Sequence, residues 1–222
     1  MLLAALALNF GCKKDTPPHP TPPAKLTYLA LGDSYTIGQS VKTEERYPNQ
    51  LADSLRAHGL EVGHVRIIAT TGWTTDELAD GIEAAEISDS TYSFVSLLIG
   101  VNNQYRGRSV ESYKPEFEAL LNQAIGFAGG RKDRVFVVSI PDYAYTPFGQ
   151  GKPDISAGID AYNAANRAIS EQNGVRYFDI TAISRLGFDD PDLVASDKLH
   201  PSGKQYTLWV KTILPGVLEM LQ

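Results

Sequence analysis

The sequence predicts an α/β fold, a three-layer α/β/α sandwich of about five parallel strands with helices on both faces. Short apolar runs rich in Val, Ile, Tyr and Phe alternate with stretches of helical periodicity. Two of these runs are almost continuously apolar, as expected of strands that helices cover on both faces. The chain has 222 residues, 43% of them hydrophobic, which is enough for one domain with a substantial core.

The strand predictions rest on runs in which β-branched and aromatic side chains dominate and which turn residues bound. In chain order these runs are LTYLALG (26–32), VRIIAT (65–70), YSFVSLLIG (92–100), RVFVVSI (134–140) and VRYFDI (175–180). Strand–helix repetition of this kind indicates a parallel sheet. The chain contains no internal sequence repeat.

The helix predictions fill the intervals between the strands. The first, YPNQLADSLRAHG, places Leu51 and Leu55 four residues apart and closes on Gly59, a residue type favoured just past a helix end. Pro215 lies inside the last predicted helix and is expected to interrupt it. The remaining predicted helices are 74–86, 109–128, 156–174 and 203–221.

The N-terminal segment differs in composition from the rest of the chain. The apolar run in MLLAALALNFGC is too short to span a membrane and resembles a bacterial lipoprotein signal with its cleavage site. Residues 1–12 are therefore predicted as this segment, with Cys12 as the lipidated residue; the alternative is an apolar tail. Residues 13–25 contain five prolines and are predicted as a stiff linker, so the folded domain is expected over 26–222. We expect an exported lipoprotein that meets the membrane only through its lipid.

Composition argues against two large classes of function. The net charge is −6 and no basic patch stands out, which disfavours a nucleic-acid-binding protein. The chain has one cysteine, and its four histidines lie far apart without zinc-site spacing, so no metal is expected.

The stretch FGQGKPD is similar to a phosphate loop, but Pro153 and the lack of Ser or Thr after Lys152 argue against it. No cofactor is expected.

Candidate functional residues follow three of the predicted strands. Ser34 comes after the first strand, Gly72 after the second and Asn102 after the third. Ligands of parallel sheets bind beyond the carboxyl ends of the strands, so these residues lie where a shared site would be built. A polar turn near the C-terminus, SDKLHPSG, places Asp197 three residues before His200.

Four sequence blocks in this order resemble those of the SGNH hydrolases, also called the GDSL esterase/lipase family. The blocks are GDSYTIG (32–38), TGWTT (71–75), GVNN (100–103) and DKLHP (197–201). Each alone is short, but four in order, each at a predicted strand end or turn, are a specific signal. The resemblance covers the chain from about Leu26 to its C-terminus and implies a flavodoxin-like fold with serine hydrolase activity.

The resemblance implies a catalytic triad of Ser34, Asp197 and His200, and these residue types suit that chemistry. A serine hydroxyl is a poor nucleophile until a base takes its proton. His200 would be that base, and Asp197 would orient its ring and stabilise the imidazolium. Only Asp197 has the motif spacing. The competing acidic residues are Asp189, Asp190 and Asp192.

The resemblance also implies an oxyanion hole formed by the N–H groups of Ser34 and Gly72 and the side-chain amide of Asn102. Such donors stabilise the charge that develops on the attacked carbonyl oxygen. Tyr35 and Asn103 depart from the family pattern, in which Leu and Asp are common at these places. Asn103 leaves the oxyanion donor intact but changes the hydrogen bonds available to its loop. The Gly-x-Ser-x-Gly elbow of α/β-hydrolases is absent.

The predicted function is hydrolysis of carboxylic esters through an acyl intermediate on Ser34. Family members act on lysophospholipids, thioesters, simple esters and O-acetylated carbohydrates, and the shared motifs do not choose among lipid, glycan and other small-molecule esters. A carbohydrate O-acetyl esterase is the alternative enzyme. A catalytically silent surface binding protein is the alternative of another class. The oligomeric state is not predicted.

Two features near the predicted site have two interpretations each. The long loop after the fourth strand carries Tyr143, Tyr145 and Phe148, and it either forms an acyl or sugar wall or covers the core. Arg106 and Arg108 either meet an anionic substrate group or are solvated loop residues.

Overall fold

A computed structural model describes residues 25–222 and contains one sheet of five parallel strands, which confirms the predicted fold class. The strand order is β2-β1-β3-β4-β5. Every residue of the two neighbouring strands β3 and β4 is buried, which explains their continuous apolar sequences. The strands are β1 (Leu26–Gly32), β2 (Val62–Ala69), β3 (Phe94–Leu98), β4 (Val135–Val138) and β5 (Arg176–Phe178).

Eight α-helices are present in the described residues, and three of them were not predicted. Helices α1, α4 and α7 have only four or five residues, so hydrophobic periodicity cannot reveal them. The helices are α1 (Ser34–Ile37), α2 (Tyr47–Ala57), α3 (Thr75–Ala84), α4 (Val101–Tyr105), α5 (Val110–Phe127), α6 (Pro153–Gln172), α7 (Thr181–Ser184) and α8 (Gly203–Leu221).

The longer helices divide into two groups, one for each face of the sheet. The crossover from β1 through α2 to β2 runs in one direction along the sheet, and the crossovers through α3, α5 and α6 run in the other. Because such crossovers are right-handed, α2 lies on one face and the other three on the opposite face. Helix α8 packs against α2, while α5 packs against both α3 and α6.

Pro215 does not interrupt α8, contrary to the prediction. The helix continues from Gly203 to Leu221 with Pro215 inside it. Pro215 is exposed, and so is Lys211. The carbonyl of Lys211 has no helical partner, because the proline four residues later has no N–H. Water can hydrate the freed carbonyl, so the proline is tolerated on this side of the helix.

The order of the strands places a crevice between β1 and β3. The chain leaves β1 toward one face and β3 toward the other, and ligands of open α/β sheets bind at such a switch point.

None of the helices in the described part combines the length and apolar character needed to cross a membrane. The predicted signal segment, Cys12 and most of the predicted linker lie outside the described residues, and those expectations stay predictions.

Candidate active site

Ser34 begins the short helix α1 immediately after β1. Asp33 is the N-cap, and its Oδ1 accepts the N–H of Tyr35 at 3.0 Å. A Cβ at Gly32 would collide with Thr36 Oγ1 and with the carbonyl of Leu98, so this close approach requires glycine. The strand-to-helix corner therefore places the Ser34 hydroxyl at the carboxyl edge of the sheet.

A buried aromatic cluster supports this corner from the α2 and α8 side. Tyr47, Tyr206 and Trp209 are fully buried and pack against one another, with ring centroids 4.9–6.3 Å apart. The Tyr206 hydroxyl donates to the carbonyl of Tyr35 at 3.0 Å. The nucleophile corner is thus anchored to the hydrophobic core and does not depend on the stability of a four-residue helix.

The turn before α8 pairs Asp197 with His200. Asp197 Oδ2 lies 2.6 Å from His200 Nδ1, and Asp197 Oδ1 accepts the N–H groups of Leu199 and His200 at 3.0 Å each. These bonds fix the carboxylate within one turn and leave the other ring nitrogen, Nε2, for a reacting group. The competing Asp190 instead pairs with Lys204 at 2.8 Å.

Ser40 is a functional candidate that sequence reasoning missed. Its hydroxyl donates to Asp197 Oδ2 at 2.6 Å, on the same oxygen that binds the His200 ring. Burial raises the pKa of Asp197, but the bonds from Ser40 and His200 outweigh it and the pKa falls to about 2. Ser40 has a φ of 65°, an uncommon conformation for serine. Nothing in the sequence signals a contact across 157 positions.

A cavity of about 190 Å³ brings three of the predicted residues together: Ser34, Asn102 and His200. In the described part of the chain, Ser34 Oγ makes no hydrogen bond to the His200 ring, and such contacts often close only when substrate binds. Asp197 lies behind the ring of His200, outside the cavity lining. The other lining residues are Tyr35, Val101, Tyr105, Tyr143, Phe148 and Leu199.

Gly72 lies in a turn after β2, outside the cavity lining. The N–H of Trp73 donates to the carbonyl of Thr70 at 3.3 Å, and Gly72 has a φ of +90°, which favours glycine. Neither the Gly72 N–H nor the Ser34 N–H is used by a turn or helix hydrogen bond of the described chain. Both groups are therefore free to donate, and their role in an oxyanion hole stays a prediction.

Asn102 connects the Gly72 turn to the cavity. It lies in α4 directly after β3, and its Nδ2 donates to the carbonyl of Trp73 at 2.9 Å. A side-chain amide has two donors, so one N–H holds the turn and the other remains for a ligand in the cavity. This arrangement brings the second and third sequence blocks into direct contact.

The hydrogen bonds of Asn103 show how its loop is supported although the residue departs from the family pattern. This fully buried side chain accepts the N–H of Thr75 at 3.1 Å and donates to Thr75 Oγ1 at 2.6 Å. The Thr75 hydroxyl in turn donates to Glu116. Because an amide donates where a carboxylate could only accept, the Thr75 proton is directed to Glu116 and the loop remains supported.

Arg106 and Arg108 form ion pairs within the chain. Arg106 donates to Glu77 at 3.0 Å and to the carbonyl of Gly72 at 2.7 Å. Arg108 binds Asp76 through two nitrogens, at 2.7 and 3.1 Å. Both arginines therefore join α4 and the segment after it to the segment from Gly72 to α3. Arg106 is exposed and Arg108 half-buried, which agrees with solvated residues that also form ion pairs.

Asp33 places an orphaned carboxylate oxygen beside the nucleophile. The side chain is fully buried, and its Oδ2 has no hydrogen-bond partner among the described residues. Burial raises the pKa of Asp33 to about 7, and the N–H of Tyr35 on Oδ1 only partly opposes this. The folded protein therefore holds this proton more tightly than the unfolded chain does.

We expect Asp33 to make the protein lose stability as the pH rises from about 4 to 7. In that window the unfolded chain releases the proton while the folded protein retains it, and above pH 7 the loss is complete, at most about 4 kcal/mol. Asp33→Asn should flatten this fall. Urea unfolding at pH 4.5 and pH 8 measures it, with Asp80→Asn, on the exposed side of α3, as the control. Equal pH dependence in wild type and Asp33→Asn would contradict the expectation.

Similar folds occur among solved structures. The chain superposes on TesA (TM-score 0.70, 16% identity, 88% of this chain and 99% of that one). A lipase/acylhydrolase from Enterococcus faecalis gives 0.70 and 19%, covering 89% and 97%. Axe2, an acetylxylan esterase from Geobacillus stearothermophilus, gives 0.66 and 19%, covering 86% and 94%. No curated protein sequence matches the chain.

The family assignment rests on a match over most of the chain. Residues 30–208 match the model of the GDSL-like Lipase/Acylhydrolase family. The match begins inside β1 and ends inside α8, so it spans the nucleophile corner, the cavity and the Asp197–His200 turn. In the described residues, no group of three or more His, Cys, Asp or Glu side chains is placed to hold a metal ion. The chain belongs to the GDSL-like lipase/acylhydrolase family and is a carboxylic ester hydrolase.

Proposed function

We propose that this hydrolase forms an acyl intermediate on Ser34, with His200 as general base and Asp197 as the residue that orients it. The observation that carries the proposal is the shared cavity: Ser34 and His200 both line it, and Asp197 holds the far nitrogen of the ring at 2.6 Å. Nucleophile, base and orienting acid are the three roles that such catalysis requires.

In the first half of the reaction, Ser34 Oγ attacks the carbonyl carbon of the ester while His200 Nε2 takes the hydroxyl proton. The Asp197 carboxylate stabilises the imidazolium that results. When the tetrahedral intermediate collapses, the bond to the alcohol oxygen breaks and His200 returns the proton to the departing alkoxide. The acyl group remains on Ser34.

The oxyanion of this intermediate would be held by three donors from three separate strand ends. They are the N–H of Ser34 after β1, the N–H of Gly72 after β2 and the Asn102 amide after β3. Because hydrogen bonds to the rest of the protein already hold the Gly72 turn and Asn102, little reorganisation is needed as the charge develops.

In the second half of the reaction, a water molecule replaces the alcohol. His200 takes its proton, the hydroxide oxygen bonds to the acyl carbon, and the bond to Ser34 Oγ breaks with return of the proton to serine. The products are a carboxylic acid and an alcohol, and the chain's own residues supply every proton transfer.

The size of the cavity favours a small ester as the substrate. The cavity of about 190 Å³ is below the range of about 300–1,000 Å³ that is usual for drug-sized ligands. A carbohydrate O-acetyl esterase therefore remains the second candidate, in keeping with the fold it shares with an acetylxylan esterase. A catalytically silent binding protein has no need for the paired Asp197 and His200.

Labelling with a fluorophosphonate tests the proposed nucleophile. The reagent phosphonylates serines that a neighbouring base activates. We expect one adduct, on the peptide that contains Ser34, and none in Ser34→Ala. A stoichiometric adduct on another serine, or no adduct on folded wild-type protein, would contradict the assignment.

A further inference from the structure

Three aromatic rings line the cavity beside Ser34; Tyr143 is buried, while the rings of Tyr105 and Phe148 are open to solvent. Tyr105, Tyr143 and Phe148 form a triangle with ring centroids 6.1–6.3 Å apart, and we call them the aromatic platform. Tyr105 is 61% exposed and Phe148 47%. Exposed rings of this size are unfavourable in water, so their position beside Ser34 points to a ligand that covers them.

The platform is held in place before any ligand binds. The Tyr143 hydroxyl donates to Gln104 Oε1 at 2.9 Å, and the N–H of Phe148 donates to the carbonyl of Lys198 at 3.1 Å. A Cβ at Gly149 would collide with the backbone of Tyr143, so the loop folds tightly on itself. A loop whose backbone is already fixed by the fold loses little conformational entropy on binding.

One member of the platform, Phe148, is bonded to the turn that carries His200. The leaving oxygen must face His200 to receive its proton. The backbone of Phe148 is bonded to Lys198, two residues before His200, and Leu199 lies between them in the cavity lining. Phe148 therefore adjoins the turn that carries His200, and an alcohol that receives its proton from His200 leaves beside that turn.

Because the platform is open to solvent, it favours an alcohol with both an apolar face and polar groups. An aliphatic chain lying there would keep its outer side in water and gain only part of its hydrophobic stabilisation. A saturated sugar ring has an apolar C–H face to lay on the aromatic rings and hydroxyl groups that remain hydrated without cost. The exposed platform is therefore better suited to a glycoside than to a lipid chain.

We propose that the aromatic platform binds the alcohol half of the ester as a pyranose ring, so that the substrate is an O-acylated carbohydrate. This inference rests on the proposed function, because it takes the ester to lie between Ser34 and His200. It assigns recognition of the alcohol half to Tyr105 and Phe148, which line the same cavity as Ser34 and His200.

A matched pair of acetate esters tests the proposal. Methyl 6-O-acetyl-β-D-glucopyranoside and cyclohexylmethyl acetate present the same acyl group on a six-membered ring with and without hydroxyls. We expect wild type to have the higher kcat/KM for the glycoside. Phe148→Ala and Tyr105→Ala should each reduce that preference about fivefold to tenfold, mainly through KM.

Phe188→Ala is the matched control. Phe188 is also 47% exposed, but it packs on Tyr145 and does not line the cavity. It should leave the preference between the two esters as in wild type. A wild-type preference for cyclohexylmethyl acetate, equal losses on both esters in the platform variants, or a loss that grows with acyl-chain length would overturn the proposal.

A binding measurement separates this inference from the proposed reaction. Saturation-transfer NMR with methyl β-D-glucopyranoside, which has no ester, should show contact in wild type and Ser34→Ala and lose it in Phe148→Ala. Lack of this contact in wild type would overturn the platform proposal even if esters are hydrolysed. Failure of the Ser34-dependent reaction with contact retained would contradict the proposed mechanism and support the platform.

Discussion

Ser34→Ala is expected to lower kcat for ester hydrolysis by about four to six orders of magnitude. The alanine variant has no oxygen to bond to the acyl carbon, so the acyl intermediate cannot form at this position. The proposed oxyanion donors remain, and we expect residual catalysis from them to set the floor. Initial rates on 4-nitrophenyl acetate, with enzyme concentrations high enough to read that floor, measure the effect.

The fold of Ser34→Ala should survive, because the change removes one hydroxyl from a corner that Asp33, Tyr206 and the core hold in place. Ser54→Ala is the matched control: Ser54 also carries a helical hydroxyl, bonded to the carbonyl of Gln50 on α2, and it does not line the cavity. It should retain wild-type kcat. A Ser34→Ala preparation, free of contaminating esterase, that keeps more than a hundredth of wild-type activity would refute the proposed nucleophile.

His200→Ala should cost about as much as Ser34→Ala, and the double variant little more. In the proposed mechanism the two side chains act as one unit, so removing either removes the activated nucleophile. This non-additivity is the kinetic signature that separates a shared catalytic role from two independent contributions to folding or binding.

The structural features that the sequence predicts correctly are those that produce a recognisable residue pattern. Strands β3 and β4 are buried on both faces, so their runs of apolar residues are unambiguous. The Asp197–His200 pair is local, and its spacing of three residues can be read directly. The strand ends were sufficient to place Ser34, Gly72 and Asn102 at one edge of the sheet, because parallel topology brings those ends together.

Features that depend on polar contacts between distant loops left no such signal. Ser40 bonds to Asp197, and Arg106 bonds to the carbonyl of Gly72. These residues lie in short loop segments that have no hydrophobic periodicity of their own. The short helix α4 was missed for the same reason, although it carries Asn102. Hydrophobic patterning reports which face of an element is buried, and loop residues that bond to one another follow no repeating pattern.

Asn102→Ala is expected to lower kcat by about 100- to 1,000-fold, which corresponds to a loss of about 2.7–4 kcal/mol of transition-state stabilisation. One N–H of the Asn102 amide is used on the Trp73 carbonyl at 2.9 Å, and in the proposed mechanism the other donates to the oxyanion. Since the ground-state carbonyl carries less charge than the oxyanion, KM should change much less than kcat.

Two further variants separate the oxyanion role from the structural one. Asn102→Asp keeps the size of the side chain but replaces the donors by a carboxylate, so it should be at least as inactive as Asn102→Ala. Asn122→Ala, on the exposed side of α5, should have wild-type kcat. If Asn102→Asp restored activity, the amide would not be the oxyanion donor.

The affinity for a transition-state analogue decides whether Asn102 acts on the oxyanion or only on the Gly72 turn. A trifluoromethyl ketone forms a tetrahedral adduct with the serine, and its oxygen occupies the oxyanion position. Its affinity should fall in Asn102→Ala by the same factor as kcat/KM, because both measure the same hydrogen bond. An unchanged affinity beside a reduced kcat would mean that Asn102 is not a donor to the oxyanion. The Gly72 and Ser34 N–H groups would then have to stabilise the charge alone.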